Sequence, residues 1–397
     1  MIPTWGIPAA LGVIQTQILE HQLEKVDTTT VSWIFSIYMT LAMISCVFCG
    51  TYYDRNGVKI PMLIGSVMCV VSLFAMGNCT EVYQFILSFG IGFGVGSAII
   101  VPPVMGAIAD YFSEKQRSSA MGFAGTGGCI GGVLFPAMLD KSFGSIGFTW
   151  SMRCVAFIDL FCLVVCLILV KDRSTREKKP LTSYETLKLY LLKSFDFKSL
   201  LTDRRYFFNS LGCLFAETTV TITFSYFSFI TVKNGFTEGK SFLFVTALNA
   251  VSTPTRYLSG IIADKYFGTY NVTIFSLVML GITNLVMWMP FKSNEAALWI
   301  YCVSYGAFSS GIYTLIPSCC SQIVRVEVFG CRYATMYFIT GLCILGLTPA
   351  SASIIGDGES GSRNDGFIIL MSIFSFLGAF FYFVVKYMTV GLTWKKF

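Results

Sequence analysis

The stretch GTYYDRNGVK, which runs from Gly50 to Lys59, places three charged residues in an otherwise apolar part of the chain. A related stretch, GIIADKYFG, runs from Gly260 to Gly268 and keeps the same spacing of glycine, aspartate and a basic residue. The second glycine follows the first by 210 residues. One charged motif that recurs at such a distance predicts a chain of two similar halves.

Further landmarks recur in the same order at nearly the same distance. They are Gly92 and Pro102 with Gly306 and Pro317, at distances of 214 and 215 residues, and RSSAM at Arg117 with RYATM at Arg332, at a distance of 215. Agreement among three independent landmarks supports an internal repeat of the whole half.

The composition defines the class of protein. Of the 397 residues, 54% are hydrophobic and only 13% are charged, which excludes an ordinary soluble domain. A helix crosses the hydrocarbon core with about 20 mostly apolar residues. We therefore predict an all-α, polytopic membrane protein with twelve transmembrane helices in two pseudo-symmetric six-helix bundles, at 2–19, 31–50, 60–78, 83–109, 118–139, 148–170, 206–232, 241–263, 271–290, 297–323, 333–355 and 367–390.

The distribution of lysine and arginine predicts the orientation. If the loop after the second helix is cytoplasmic, that side collects 20 basic residues and the other side six, with Arg153 and Arg256 inside helices. Cytoplasmic loops carry such an excess. The net charge of +6 therefore reports topology, and we expect no nucleic-acid partner. We expect cytoplasmic termini in the full-length form, in the plasma membrane, with the vacuolar membrane as the alternative.

The longest polar segment divides the chain into an N-terminal bundle (1–170), a cytoplasmic linker (171–205) and a C-terminal bundle (206–397). Within the linker, Leu187, Leu191 and Phe195 recur at helical spacing among lysines. This pattern favours a short amphipathic helix on the inner membrane surface, and a disordered tether is the alternative.

Catalytic and metal-binding patterns are missing from the sequence. Most of the fourteen cysteines lie in apolar windows and are interpreted as small packing residues. His21 is the only histidine, and neither a phosphate-binding loop nor a nucleophile elbow accompanies it. We expect no metal, no cofactor and no enzymatic activity, and we expect a monomer whose partners are the lipid bilayer and a small-molecule solute.

The repeated stretch resembles the signature of the major facilitator superfamily, G-x-x-x-D-R-x-G-x-K. The resemblance implies a gating role on the inner side for nine residues: Gly50, Asp54, Arg55, Gly57, Lys59, Arg117, Gly260, Asp264 and Lys265. It also implies a secondary transporter that works by alternating access. Charge-assisted contacts of Asp54 and Arg55 would hold the halves together on the inner side in one state.

Finer features resemble the monocarboxylate porters, and their fungal members most. They are WGIPAALGV at Trp5, VSWIFSIYMTL at Val31, the run from Asp110 that contains GFAGTGG, and Arg256 with Gly260. This resemblance implies a small organic anion or monocarboxylate-like solute, with proton coupling as a possible mechanism. Two charges of the lactate carriers are replaced here, by Ala9 and Ser252, which weakens the expectation of lactate transport. A neutral or larger metabolite such as riboflavin is an alternative, since the fungal members include a riboflavin carrier.

The binding site is predicted from helix faces. In the eighth helix Asn249, Ser252 and Arg256 form one polar stripe. Arg256 lies about 24 Å from Lys240 and about 12 Å from Asp264 at 1.5 Å per residue. An arginine at that depth is costly in lipid, so the stripe should face a wet interior. The alternative is that Arg256 reaches the inner surface.

The seventh helix carries Glu217 on a polar stripe at a depth similar to that of Arg256. Three relations stay open: a structural ion pair, an ion pair that an anionic substrate displaces, and no contact. Gln15, Tyr305, Ser309 and Tyr313 are further candidate lining residues. Asp159 in the sixth helix lacks an obvious partner, and Arg153 is the nearest candidate.

The first helix is predicted to be truncated, because the segment WGIP, which lies in mid-helix in the family, begins here at Trp5. A non-transporting sensor or an inactive truncated form is therefore a further alternative.

Overall fold

The computed structural model describes residues 1–171, 194–355 and 361–391. In this part of the chain twelve long helical segments follow one another and no strand occurs. Their bounds are α1 at 2–22, α2 at 28–56, α3 at Lys59–Met76, α4 at Val82–Tyr111, α5 at 117–146, α6 at 148–169, α7 at Arg204–Lys233, α8 at 238–267, α9 at Thr269–Phe291, α10 at Glu295–Ile323, α11 at Phe329–Ile355 and α12 at Gly361–Val390. A six-residue helix, Phe197–Thr202, precedes α7.

Eight helices in the described ranges are long and apolar enough to cross a membrane. The continuous helical stretch Arg117–Leu169 counts as one of them, although Gly147 breaks it into α5 and α6 with a φ of 76°. Only glycine adopts that conformation without steric cost. The predicted all-helical membrane fold is confirmed.

The second helix is longer than the sequence pattern indicates. We predicted that α2 ends at Gly50, with the charged signature in the loop that follows. The structure continues the helix through Asn56 and ends it at Gly57, which has a φ of 90°. No helix-breaking residue stands between Gly50 and Gly57, so Asp54 and Arg55 lie on the last helical turn.

The first compact unit comprises the described residues of Met1–Tyr111, Gly127–Asp196 and Val326–Gly341. Its core contains an aromatic stack in which the ring centroids of Tyr38 and Phe89 are 4.7 Å apart and those of Phe89 and Phe93 are 5.5 Å apart. It includes the beginning of α11, which comes from the second half of the sequence.

The second compact unit comprises the described residues of Phe112–Thr126, Phe197–Arg325 and Leu342–Phe397. Its core contains Trp288 stacked on Tyr301 at 5.3 Å, with Phe227 against both rings. It includes the beginning of α5, which comes from the first half of the sequence.

The predicted amphipathic linker helix lies mostly outside the described residues. Of its apolar positions only Phe195 is described. Its ring packs on Phe338 of α11 at 5.0 Å and on Phe48 of α2 at 6.0 Å.

Candidate functional site: two latches and a membrane arginine

The first copy of the signature attaches α2 to the beginning of α11. Asp54 Oδ1 accepts the backbone N–H of Gly330 at 2.8 Å, and Oδ2 accepts that of Cys331 at 2.7 Å. N–H groups in the first turn of a helix have no carbonyl partner within that helix. A carboxylate satisfies them with charge-assisted bonds and interacts favourably with the helix dipole.

A glycine pair allows this approach. A Cβ atom on Gly50 would overlap the carbonyl oxygen of Gly330, and a Cβ atom on Gly330 would lie 2.6 Å from the carbonyl oxygen of Gly50. Any larger residue at either position would push the two backbones apart. We call Gly50, Asp54, Gly330 and Cys331 the first latch.

The second copy attaches α8 to the beginning of α5 in the same way. Asp264 Oδ1 accepts the backbone N–H of Ser118 at 3.2 Å, and Oδ2 accepts that of Ser119 at 2.7 Å and the Ser119 hydroxyl at 2.6 Å. A Cβ atom on Gly260 would overlap the carbonyl oxygen of Ser118. We call Gly260, Asp264, Ser118 and Ser119 the second latch.

The two latches differ by three residues in register. The amides that Asp264 caps follow Arg117, whereas those that Asp54 caps precede Arg332. The cause is that α5 begins at Arg117 itself, while α11 begins at Phe329. The repeat in the sequence therefore predicts the kind of contact but not its register.

The register difference gives the two arginines different partners. Arg117 is buried and donates from Nη1 to the Ser321 carbonyl of α10 at 3.1 Å. Arg332 donates from Nε to the Asp196 carboxylate at 3.1 Å. Arg332 thus ties the end of the linker to α11, a contact that the sequence did not predict.

The remaining signature residues lie around the latches. Arg55 is half-buried, and Lys59 and Lys265 are exposed. Gly57 ends α2 with a positive φ, as Gly268 ends α8 with a φ of 87°. These two glycines let the chain turn immediately after each charged cluster.

The polar stripe of α8 positions Arg256 against α5 and α10. Arg256 is half-buried, and its Nη1 donates to the Gly125 carbonyl at 3.1 Å. The centre of its guanidinium lies 5.2 Å from the Tyr313 ring centroid, a cation–π distance. A Cβ atom on Gly122 would lie 2.5 Å from the Arg256 carbonyl oxygen, so α5 approaches α8 closely here.

Ser252 and Asn249 occupy the same stripe but have different surroundings. The buried Ser252 hydroxyl donates to the Gly306 carbonyl at 2.9 Å and so joins α8 to α10. Asn249 is 9% exposed, and its Nδ2 has no hydrogen-bond partner. Both side chains are therefore packed inside the protein, the Ser252 hydroxyl in a hydrogen bond and the Asn249 amide nitrogen as a buried donor.

Of the three candidate lining residues on α10, one contacts Arg256 and two are buried. The half-buried Tyr313 shares a hydrogen bond of 3.3 Å with Thr221 of α7 and lies under the guanidinium of Arg256. Tyr305 is buried and donates its hydroxyl to the Val220 carbonyl at 3.2 Å. Ser309 is buried as well. The structure thus brings Tyr313 to Arg256.

Glu217 is 2% exposed and lies on α7, within electrostatic range of Tyr382 on α12. Its predicted relation to Arg256 stays a prediction. Gln15 belongs to the first unit, where its Nε2 donates to the Ser32 hydroxyl at 3.2 Å.

The predicted partner of Asp159 is wrong. Arg153 donates to the Asn78 side-chain oxygen at 3.1 Å and lies over the Trp150 ring at 4.9 Å. Neither carboxylate oxygen of Asp159 has a hydrogen-bond partner.

Sequence reasoning missed the backbone partners. The carbonyl of Gly125 and the amides of Gly330, Cys331, Ser118 and Ser119 carry no side-chain signal of their own. The available signal was the position of these residues at helix beginnings, where carboxylates bind, and in the glycine-rich part of α5.

Comparison with known proteins identifies the family. The pattern of the Major Facilitator Superfamily matches residues 3–346. The riboflavin transporter MCH5 of Saccharomyces cerevisiae is 33% identical, in an alignment that covers 100% of this chain and 78% of that protein. An MFS-type transporter of Gibberella moniliformis is 30% identical, over 97% of this chain and 89% of the relative.

Solved structures agree in fold. The human organic anion transporter MFSD10 (TETRAN) matches with a TM-score of 0.77 at 15% identity and 96% coverage of both chains. The proton:xylose symporter XylE, bound to 6-bromo-6-deoxy-D-glucose, matches with a TM-score of 0.74 at 12% identity and covers 96% of this chain and 93% of its own. The repeated signature, the helical membrane fold and these relatives together show that the chain is a transporter of the major facilitator superfamily.

Proposed function

We propose that this transporter works by alternating access and carries a small organic anion or another carboxylate-bearing metabolite. The observation that carries the proposal is the setting of Arg256, a charged side chain on α8 held by the Gly125 carbonyl and the Tyr313 ring. A planar guanidinium binds a carboxylate with two parallel hydrogen bonds, which makes it a suitable clamp for such a solute.

We assign the gating of alternating access to the two latches. Each aspartate caps a helix that belongs to the other half of the sequence: α11 for Asp54 and α5 for Asp264. Alternating access requires that such contacts form in one state and break in the other. Charge-assisted bonds to backbone amides are suited to this role, because water replaces them when they open.

A second candidate solute is riboflavin. The relative named as a riboflavin transporter is 33% identical over the whole of this chain, and two charges of the lactate carriers are absent here. Riboflavin is neutral and presents ring carbonyls that accept hydrogen bonds from a guanidinium. Together with the anionic solute, we propose that the protein belongs to the monocarboxylate porter branch and that its transport is coupled to protons.

Uptake measurements show which candidate solute is transported and whether Arg256 is needed for its transport. Cells that express the chain receive labelled lactate, pyruvate or riboflavin, and initial rates are compared for the wild type and Arg256→Lys. Arg153→Lys is the matched control, since Arg153 is a second intrahelical arginine, with Asn78 and Trp150 as its neighbours. We expect Arg256→Lys to lose most of the uptake and Arg153→Lys to keep it. Full uptake by Arg256→Lys would eliminate the clamp.

The location belongs to the proposal too. We propose that the latches lie on the cytoplasmic side, on the basis of the 20 to 6 distribution of basic residues. The plasma membrane is the proposed location, with the vacuolar membrane as the alternative. Protease protection of an epitope inserted beside the exposed Lys59, in sealed right-side-out vesicles, tests the side. Cleavage of that epitope from outside would reverse the assigned orientation.

A further inference from the structure

Asp159 lies at the middle of α6. Eleven residues separate it from Phe148 and ten from Leu169, so it is about 16 Å from each end of the helix at 1.5 Å per residue. An ionisable side chain at that depth is expensive in a bilayer, and such residues mark ion or proton pathways more often than packing sites.

The side chain of Asp159 is fully enclosed by protein. Its exposed fraction is 0%, and neither of its oxygens has a hydrogen-bond partner. The other positions of the same face of α6, Val155, Ala156 and Leu163, are buried apolar residues. Asp159 is therefore a carboxyl group in an apolar core.

The titratable groups around Asp159 come from four helices. Tyr38 of α2, Cys69 of α3 and Cys162 of α6 are within electrostatic range, as is the amino group of Met1 at the beginning of α1. The amino group makes no hydrogen bond to either oxygen of Asp159. Arg153, on the same helix, is directed to Asn78 instead.

An enclosed carboxyl group without a hydrogen-bond donor is stable only when it is neutral, because an isolated buried carboxylate is far more costly than the protonated acid. Asp159 can ionise when water reaches it, and water reaches it only when α1, α2 or α3 separates from α6. Its protonation is therefore linked to helix movement within the first unit.

We propose that Asp159 is a proton-binding site that couples proton movement to the conformational cycle of the transporter. This inference rests on the proposed transport function. The enclosed state binds the proton and an open, hydrated state releases it. Acid pH consequently favours the enclosed state and alkaline pH the open one, as linkage requires of the state that holds the extra proton.

Infrared spectroscopy tests the site without a transported solute. The protein in lipid nanodiscs at pH 7 should show the C=O stretch of a protonated carboxylic acid. We expect this band to disappear in Asp159→Asn and in the volume-matched Asp159→Thr, and to remain in Asp140→Asn, which alters an exposed carboxylate of α5. If no carboxylic acid band depends on Asp159, the proposal is overturned. The threonine variant serves if the asparagine variant does not fold.

Transport tests the coupling. In proteoliposomes with an inward gradient of one pH unit, a carrier that moves one proton per solute accumulates the solute by up to about tenfold. The probes are labelled lactate and riboflavin. We expect the wild type to accumulate its probe, and Asp159→Asn to equilibrate it without accumulation. Accumulation that persists in Asp159→Asn, or a wild type that equilibrates its probe regardless of the gradient, overturns the coupling.

The two measurements keep the hypotheses apart. If the wild type moves neither probe, the proposed solutes fail, and the infrared band alone decides whether Asp159 holds a proton.

Discussion

Replacing Asp54 by asparagine should open the first latch. In the structure both carboxylate oxygens accept backbone N–H groups of α11, at 2.7 and 2.8 Å. Asparagine keeps one acceptor oxygen but directs an NH₂ group at the second N–H group. The variant also removes the negative charge at the beginning of the helix.

The magnitude follows from these contacts. Each hydrogen bond to a charged acceptor contributes about 1.5–3 kcal/mol, and the one neutral bond that remains contributes about 1 kcal/mol. Because Asp54 is half-buried, solvent screens part of the difference. We therefore expect the closed latch to lose about 2 kcal/mol, which raises the population of the open latch about 30-fold.

Hydrogen–deuterium exchange measures this opening directly. The reporter peptide contains the amides of Gly330 and Cys331, which Asp54 caps, and a second peptide contains those of Ser118 and Ser119. We expect Asp54→Asn to speed exchange at the first reporter by about 30-fold, the ratio given by the population of the open latch. Asp264→Asn is the reciprocal variant and should act directly on the second reporter.

The reciprocal pair also tests cooperation. Alternating access predicts that each variant speeds exchange at both reporters, because the latches open together. Purely local loosening at the mutated latch would contradict that coupling. Unchanged exchange of Gly330 and Cys331 in Asp54→Asn would refute the capping argument itself.

Three further outcomes follow from particular contacts. Gly306→Ala should lower the free energy of unfolding by about 1–3 kcal/mol, because the added Cβ atom would lie 2.6 Å from the Leu248 carbonyl oxygen. The control is Gly346→Ala, since a Cβ atom on Gly346 would contact nothing within 4 Å. Thermal unfolding in detergent compares the two variants. Tyr313→Leu should weaken binding of an anionic solute more than Tyr313→Phe does, because phenylalanine keeps an aromatic ring under the guanidinium of Arg256. A cation–π contact of this kind contributes about 0.5–2 kcal/mol. Equal affinities of the two variants in a binding titration would contradict a role of the ring in binding. Arg332→Gln should loosen the end of the linker on α11 and speed proteolysis near Asp196, and the control is Arg325→Gln, which alters an exposed arginine. Unchanged cleavage would mean that the remaining contacts, the Phe195 ring on Phe338 and the bond from the Asp196 N–H to the Thr335 hydroxyl, hold this segment without the ion pair.

The sequence determined the class of fold because its signals are local. Apolar windows of helical length predict the membrane helices, and the two charged signatures predict the repeat. The same local reading failed where it relied on spacing along one helix. Arg153 and Asp159 are six residues apart, which puts their side chains about 120° apart around α6, so they face different surroundings.

Only the tertiary structure decided what the charged and polar side chains contact. Asp54 meets amides 276 and 277 residues away, and Arg256 meets a carbonyl 131 residues away. Backbone amides and carbonyls are the same in every residue, so the sequence carries no mark of which ones become partners. The stripe of α8 shows the same limit, because the sequence places Ser252 beside Arg256, but the packing of α8 on Gly306 directs the Ser252 hydroxyl to α10.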